Sequence, residues 1–112
     1  MSTDESENKN NKKVQLDLNN EIFLDGLLDL DKDERNRVLE TLKKIRKMTW
    51  DQVYRDPGLK WEKIVSVSPP KGIDAMYSLR VTKSRRATAF RYNNLMCLLT
   101  VERDHDSTYG KK

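Results

Sequence analysis

After a short alternating segment at residues 14–18, the spacing of apolar residues changes from helical to alternating along this chain of 112 residues, and that change limits the folds open to it. Between about residues 19 and 47, apolar side chains recur at the three- and four-residue spacing of amphipathic helices. From Leu59 onward they alternate with polar side chains, as they do in half-buried strands. The sequence therefore predicts an α+β domain in which two helices precede most of the strands.

Two helices are predicted between residues 19 and 47. Asn19 or Asn20 caps the first helix, and Asp31 followed by Glu34 resembles a capping box at the start of the second. The apolar stripes of the two helices are Phe23, Leu27 and Leu30, and Val38, Leu42 and Ile45. The short link predicts an antiparallel hairpin, and TWDQVYRDPG predicts one further helical turn that ends at Pro-Gly.

Five strand segments are predicted, one before the helices and four after them. They are VQLDL at 14–18, LKWEKIVSV at 59–67, MYSLRVT at 76–82, RATAFRY at 86–92 and LMCLLTV at 95–101. The pair Asn93-Asn94 predicts a tight hairpin turn between the last two. LMCLLTV is apolar nearly throughout, as in a strand buried on both faces. The last four segments should form an antiparallel meander.

The second strand segment raises a question of register. Its alternation predicts one buried face made of Leu59, Trp61, Val65 and Val67. Lys63 falls on the same side of the strand unless a bulge intervenes. The two tryptophans of the chain are expected to belong to the core.

These elements together define the fold class. We expect a helical hairpin packed on one face of a small, curved, mostly antiparallel sheet, in the order β-α-α-β-β-β. Residues 1–13 hold no large apolar side chain after Met1, so they are expected to form a disordered polar arm. Residues 14–112 are then a single domain.

The composition excludes several classes of protein. One cysteine, Cys97, allows no internal disulfide framework, which suits a reducing cytoplasm. It lies in an apolar run and is expected to be a small buried hydrophobe rather than a nucleophile. One histidine and one cysteine do not make a conventional zinc cluster. We find no apolar stretch near 18 residues and no signal-peptide pattern in the polar start.

Charge is distributed unevenly along the chain. Residues 1–59 carry 11 Lys and Arg against 13 Asp and Glu, whereas residues 60–112 carry 11 against 5. The basic half has the charge to attract a polyanion such as nucleic acid. A basic face that is merely solvated explains the same numbers, so charge alone leaves both interpretations open.

The basic half also holds side chains that suit phosphodiester chemistry. The candidates are Lys63, Arg80, Arg86, His105 and Tyr109. Guanidiniums match phosphate oxygens and stabilise the charge of a phosphorane-like transition state. A histidine moves protons near neutral pH. The alternative is structural: a solvent-exposed histidine, snorkelling arginines, and a lysine that protects an edge strand from aggregation.

The segments YSLRVTKSRRATAFRY and NNLMCLLTVERDHDSTY resemble the C-terminal half of the RelE/ParE superfamily of bacterial toxins. In that family an aromatic residue precedes an arginine, a second arginine opens the next strand, and His-x-x-x-Tyr follows an apolar strand. Here these positions are Tyr77, Arg80, Arg86, His105 and Tyr109. The resemblance covers about residues 14–110.

This resemblance implies the toxin of a type II toxin–antitoxin system, neutralised by a cognate antitoxin. The RelE branch cleaves mRNA in the ribosomal A site without a metal or cofactor, by attack of the 2′-OH that leaves a 2′,3′-cyclic phosphate. Arg80 and Arg86 would stabilise the transition state, His105 would be the general acid or base, and Tyr109 would orient the substrate. Lys63 would be the basic residue of the second strand.

Further basic residues are expected to contact RNA. They are Lys60, Lys83, Arg85, Arg103 and Lys111. Two other functions stay open: a ParE-like poison of DNA gyrase, and a relative that binds RNA or protein without catalysis. The His-x-x-x-Tyr ending favours the RelE-like function over the gyrase poison.

Overall fold

Three helices pack against one face of a five-stranded sheet. The computed structural model describes residues 9–103. After a short 3-10 turn at Lys9–Asn11, the elements are β1 (Gln15–Asp17), α1 (Glu21–Leu28), α2 (Lys32–Arg46), α3 (Trp50–Arg55), β2 (Glu62–Ile64), β3 (Met76–Arg80), β4 (Arg85–Tyr92) and β5 (Leu95–Arg103). The α+β class is confirmed, each of the five predicted strand segments contains a strand, and the helical turn predicted in TWDQVYRDPG is the short helix α3. The order β-α-α-β-β-β contains one strand fewer than the sheet.

The strands lie in the order β1-β5-β4-β3-β2. Strands β2 to β5 form the expected antiparallel meander, whereas β1 pairs in parallel with β5. Asn93 has a φ of 57° in the turn between β4 and β5, a left-handed conformation that asparagine tolerates well. Only one face of β5 is buried, through Met96 and Leu98, so the prediction of burial on both faces is wrong. The helices cover a single face of the sheet.

Side-chain caps determine where the helices begin. The Asn20 side chain accepts hydrogen bonds from two N–H groups at the start of α1, and the Asp31 carboxylate accepts from the Glu34 N–H at 2.9 Å. The reciprocal half of that capping box is absent because the Glu34 carboxylate bonds elsewhere, as described below. Thr49 and Gln52 form a complete capping box at α3.

The core lies between the helices and the sheet, and it includes both tryptophans. Its fully buried large side chains are Trp50, Phe23, Ile45, Leu79, Met96, Leu98, Val38, Val53 and Val81. Trp61 is 8% exposed. The prediction that both tryptophans belong to the core is therefore confirmed. Among the described residues, no helix is long and apolar enough to cross a membrane.

The second strand is shorter than its sequence pattern predicts. Leu59 and Trp61 are buried, but Val65 is 86% exposed and Val67 is 51% exposed. Pairing between β2 and β3 stops at Ile64, which lies opposite Met76, the first residue of β3. The predicted buried face is therefore wrong beyond Ile64, because β3 offers no further backbone to pair with.

The last residues of the predicted polar arm contact the domain. The Lys12 carbonyl accepts a hydrogen bond from the Trp50 N–H at 3.0 Å, and Lys13 forms an isolated bridge with Thr49. The Val14 N–H donates to the Met48 carbonyl at 2.9 Å. Residues 1–8 lie outside the described part of the chain. These contacts place residues 12–14 beside the start of α3.

Gly26 of α1 packs tightly against Val101 of β5. A Cβ added at this position would lie 2.9 Å from the Cγ1 of Val101, and valine in a strand has little rotamer freedom. Overpacking of this kind costs about 1–3 kcal/mol. The higher helix propensity of alanine, compared with glycine, stabilises the helix by at most about 1 kcal/mol. We therefore expect Gly26→Ala to lower the free energy of unfolding, measured by urea denaturation.

The double variant identifies the cause of that loss. In a Val101→Ala background the obstructing methyl is absent, so adding Gly26→Ala should be neutral or stabilising. If Gly26→Ala lowers the free energy of unfolding equally in both backgrounds, the contact with Val101 is not the cause of the loss.

Candidate functional site

The face of the sheet opposite the helices carries a row of three charged side chains. The register places Arg80 opposite Arg86, and Arg86 opposite Glu102. Residues directly opposite in a sheet share a face. The row, called here the arginine row, therefore has two guanidiniums and one carboxylate at one end of the sheet. Sequence reasoning expected Arg80 to face away from the core, and the register agrees with that expectation.

Hydroxyl groups hold the row in place. Arg86 Nη2 donates a hydrogen bond to Ser78 Oγ at 2.7 Å. Thr100 Oγ1 donates to Glu102 Oε2 at 2.9 Å, and it lies 2.7 Å from Thr88 Oγ1. Because the Thr100 proton is directed at Glu102, the Thr88 hydroxyl is the donor to Thr100. Ser78 thus holds the Arg86 guanidinium, and Thr100 holds the Glu102 carboxylate.

A groove of about 480 Å³ lies along this face. Its lining residues are Ile64, Ser66, Val67, Met76, Ser78, Arg86, Thr88, Thr100 and Glu102. Its volume is in the range of small-molecule sites in proteins. Sequence reasoning identified Arg86 in this groove but missed Ser78, Thr88, Thr100 and Glu102. The period-two alternation of β3 and β4 was the signal for Ser78 and Thr88.

A β-bulge explains why Thr100 and Glu102 face the groove. In β5, Met96 and Leu98 are buried on the helix side. The register then shifts between Thr88 and Ala89 of β4, after which Thr100 lies opposite Thr88 and Glu102 opposite Arg86. Without the extra residue, the alternation of β5 would direct both side chains toward the core.

Two of the predicted basic residues lie just before and within β2. The Arg80 N–H donates to the Leu59 carbonyl at 2.6 Å, so exposed Lys60 follows directly beside the end of β3. Lys60 has a φ of 50°, a left-handed conformation that is uncommon for lysine. Lys63 lies opposite Tyr77, on the helix side of the sheet. The structure does not bring Lys63 onto the face that carries the arginine row.

Three other basic residues lie at the same end of the sheet as the row. Lys83 is exposed in the connection between β3 and β4. Arg85 lies opposite Arg103, and both belong to the helix side because Arg85 precedes the row residue Arg86. Arg85 Nε lies 3.5 Å from Glu34 Oε2 of α2. The structure therefore separates Arg85 and Arg103 from the arginine row by the thickness of the sheet.

His105, Tyr109 and Lys111 lie outside the described residues. The last described residue is Arg103, at the end of β5. Glu102 and Arg103 lie opposite Arg86 and Arg85, so the chain leaves the sheet at the end where the arginine row is found.

Cys97 lies on the outer face, half-buried, in register with Asp17 of β1. Burial raises the pKa of the Cys97 thiol, and the charge of Asp17 and a hydrogen bond to it raise it further. A raised pKa lowers the thiolate population, and thiolate is the nucleophilic form. Cys97 is therefore half-buried beside a carboxylate, whereas the sequence predicted a small buried hydrophobe.

Glu34 connects the start of α2 to the β3–β4 connection. Its Oε2 accepts hydrogen bonds from Thr82 Oγ1 at 2.8 Å and Ser84 Oγ at 3.1 Å. The hydrogen bond from Thr82 contributes most to lowering the pKa of Glu34 below its ordinary value of 4.5. Burial opposes this shift, while Ser84, Arg37 and Arg85 reinforce it. The ionised carboxylate is therefore preferred in the folded state.

Removal of this carboxylate should produce a pH-dependent loss of stability. Because folding lowers the pKa of Glu34, its stabilisation is present above pH 4.5 and is lost as the pH falls through the folded pKa. We expect Glu34→Ala to cost about 1.5–3 kcal/mol at pH 7, the usual range for hydrogen bonds to a charged group. Urea denaturation at pH 7 and near pH 3 measures the difference.

Glu40→Ala is the matched control, because Glu40 is an exposed carboxylate on the same helix. The gap between Glu34→Ala and the wild type should shrink in acid, while that of Glu40→Ala should stay near zero. A gap for Glu34→Ala that is unchanged in acid would contradict the assigned role.

The fold is similar to that of solved toxin structures. A chain of the archaeal RelE–RelB complex from Pyrococcus horikoshii OT3 aligns with a TM-score of 0.55 and 15% identity, covering 82% of this chain and 96% of that one. A copper-bound mutant toxin from Helicobacter pylori aligns with a TM-score of 0.47 and 16% identity, covering 83% of this chain and 97% of that one. No protein-family model and no curated protein matches the sequence. The order of the elements and the similarity to the archaeal structure show that this chain has a RelE-like toxin fold.

Proposed function

We propose that this protein is the toxin of a type II toxin–antitoxin pair and that it cleaves mRNA in the ribosomal A site. One observation carries the proposal: within a RelE-like fold, Arg80 and Arg86 lie opposite each other on the face of the sheet that the helices leave open. Two forked guanidiniums on neighbouring strands suit the oxygens of one phosphodiester.

The reaction needs no external nucleophile. The 2′-oxygen attacks the adjacent phosphorus, its proton passes to a base, and the bond to the 5′-oxygen breaks as that oxygen gains a proton. The products are a 2′,3′-cyclic phosphate and a 5′-OH. Negative charge grows on the non-bridging oxygens at the transition state, and preorganised cations lower its energy. Arg86 is preorganised by its hydrogen bond to Ser78.

Proton transfer is assigned to His105, and Tyr109 is assigned to orient the RNA. Two observations support this assignment: the chain leaves β5 beside the arginine row, and His105 is only two residues beyond Arg103. A histidine titrates near neutral pH and therefore serves as acid or base in the cell. Lys63 would contribute charge from the edge strand, across the sheet from Arg80.

Further contacts to ribosome-bound RNA would come from the remaining basic residues. They are Lys60, Lys83, Arg85, Arg103 and Lys111. The similar archaeal toxin fold was solved in a RelE–RelB complex, which supports a cognate antitoxin as the partner here. With mRNA as its substrate and an antitoxin as its partner, the protein would act in the cytoplasm.

A translation reaction with purified ribosomes and one defined mRNA tests the proposal. Wild-type protein or His105→Ala is added, and primer extension maps the new 5′ ends. We expect codon-spaced ends that require both ribosomes and the wild-type histidine. The same mRNA incubated with the protein but without ribosomes is the internal control, and it should stay uncut.

Intact mRNA in the presence of folded wild-type protein would refute cleavage. Growth arrest accompanied by DNA damage, with no mRNA ends, would then favour the gyrase poison. Salt-sensitive RNA binding without products would favour the non-catalytic relative, because contacts to phosphates weaken steeply with ionic strength.

A further inference from the structure

A second concave site lies at the opposite end of the sheet from the arginine row. It has a volume of about 410 Å³. Its lining residues are Tyr54, Asp74, Ala75, Tyr77, Arg91, Tyr92 and Asn93, and it is called here the tyrosine pocket. Strand β4 carries Arg86 near one end and Tyr92 at the other, and six residues of extended chain span roughly 20 Å. The two sites are therefore separate.

The aromatic wall of the pocket is held by the core. The Tyr77 ring stacks on the buried Trp61 ring, with a centroid distance of 4.5 Å and an interplanar angle of 15°. Tyr54 meets Trp61 edge-on at 6.4 Å. Tyr54 is 42% exposed and Tyr92 is 61% exposed, so two of the three phenol rings present much of their surface to solvent. The Tyr54 and Tyr77 rings are therefore in place before any ligand arrives, and Tyr92 adds an exposed ring at the end of β4.

Arg91 fixes the floor of the pocket. Its guanidinium carbon lies 4.2 Å from the centre of the Trp50 ring. Arg91 Nε donates to the Asn93 carbonyl at 2.7 Å, and Nη1 donates to Tyr54 Oη at 3.0 Å. This cation disfavours a positively charged ligand in the same space.

Asp74 supplies a carboxylate at the rim. Asp74 is exposed and lines the same space as Tyr77 and Tyr92. An ionised carboxylate only accepts hydrogen bonds. An apolar ligand would desolvate it without compensation.

We propose that the tyrosine pocket binds a base of single-stranded RNA and prefers guanine. Aromatic side chains stack on bases and commonly read them through their Watson–Crick edges. Guanine presents two neighbouring donors, N1–H and the N2 amino group, which match the two oxygens of Asp74. Adenine presents one donor group on that edge and pairs with it less well.

This inference rests on the proposed function, because that function makes RNA the ligand. It adds a second subsite, away from the bond that is cut. A base held here would favour mRNA segments with a guanine at a fixed distance from the cleavage site.

Ligand-observed NMR with guanosine and adenosine tests the pocket on the full chain. The nucleosides are used because they lack the phosphate that Arg80 and Arg86 would bind. We expect guanosine to bind more tightly than adenosine. Tyr92→Ala should weaken guanosine binding about tenfold or more, in line with the usual contribution of one base stack, while Tyr92→Phe should retain it.

Further variants identify the contacts and keep the two proposals apart. Asp74→Asn should reduce guanosine binding to the level of adenosine. Val65→Ala is the matched control, because Val65 is an exposed apolar side chain outside the pocket. Arg86→Ala should bind guanosine as the wild type does, even if it no longer cleaves mRNA. The proposal is overturned if guanosine does not bind, or if Tyr92→Ala binds it as tightly as the wild type, whatever the cleavage assay shows.

Discussion

Arg86→Ala should lower the rate of ribosome-dependent mRNA cleavage by about 100- to 1,000-fold, the usual cost of losing one preorganised donor at a transition state. Arg86 lies opposite Arg80 in the sheet, and its Nη2 donates to Ser78 Oγ at 2.7 Å. Because the guanidinium is already oriented, little reorganisation accompanies the growth of charge on the phosphate. Single-turnover cleavage of a defined mRNA on purified ribosomes measures the rate.

Two further variants separate charge from geometry. Arg86→Lys keeps the charge but loses the forked donors, so it should recover only part of the rate. Arg46→Ala removes the same charge from an exposed position at the end of α2 and should cleave at the wild-type rate. Loss of the charged hydrogen bond to Ser78 should cost about 1.5–3 kcal/mol, so a denaturation curve is recorded to confirm that Arg86→Ala is folded. Wild-type cleavage by folded Arg86→Ala would remove the arginine row from the mechanism.

Trp50→Ala should cost about 3–5 kcal/mol of the free energy of unfolding, the range measured for large aromatic side chains in cores. Trp50 is fully buried at the start of α3 and meets Trp61 edge-on at 5.3 Å. Its indole Nε1 donates to the Asn94 carbonyl at 3.0 Å. The Arg91 guanidinium packs over the same ring. Removal of the indole would leave a cavity between α3 and the β4–β5 turn.

Urea denaturation of two comparison variants shows which part of the indole matters. Trp50→Phe keeps most of the apolar volume, and the Asn94 carbonyl still accepts from the Gln15 N–H at 2.9 Å, so its loss should be smaller. Tyr54→Ala removes a neighbouring ring that is 42% exposed and should cost far less than Trp50→Ala. Similar losses for Trp50→Ala and Tyr54→Ala would argue against Trp50 as the centre of the cluster.

Local chemistry made most of the fold predictable from the sequence. The caps at Asn20 and Asp31 act over three residues, and the turn at Asn93 depends on a conformation that asparagine tolerates. The change from helical to alternating spacing needs no knowledge of distant partners. For that reason the helical hairpin, the meander and the outward direction of Arg80 followed from the sequence.

Contacts between distant residues limited the rest. Glu34 has the spacing of a capping-box partner, but Thr82 and Ser84 donate to its carboxylate from the β3–β4 connection. No residue type in the sequence signals the shift of register between Thr88 and Ala89. For that reason Thr100 and Glu102 were not expected at the site. The side of the sheet on which the other basic residues lie also depends on the register between strands.

The parallel pair of β1 and β5 has a consequence for how the protein is made. Gln15 pairs with Leu95, so β1 has no neighbouring strand until β5 has been synthesised. Pairings of such wide sequence separation slow folding because a long loop must close before any contact forms. During synthesis, Val14 and Leu16 therefore stay incompletely buried until β5 is available to pair with β1. The β-sheet, and the face that carries Arg80 and Arg86, reaches its final form only after β5 has left the ribosome that produces it.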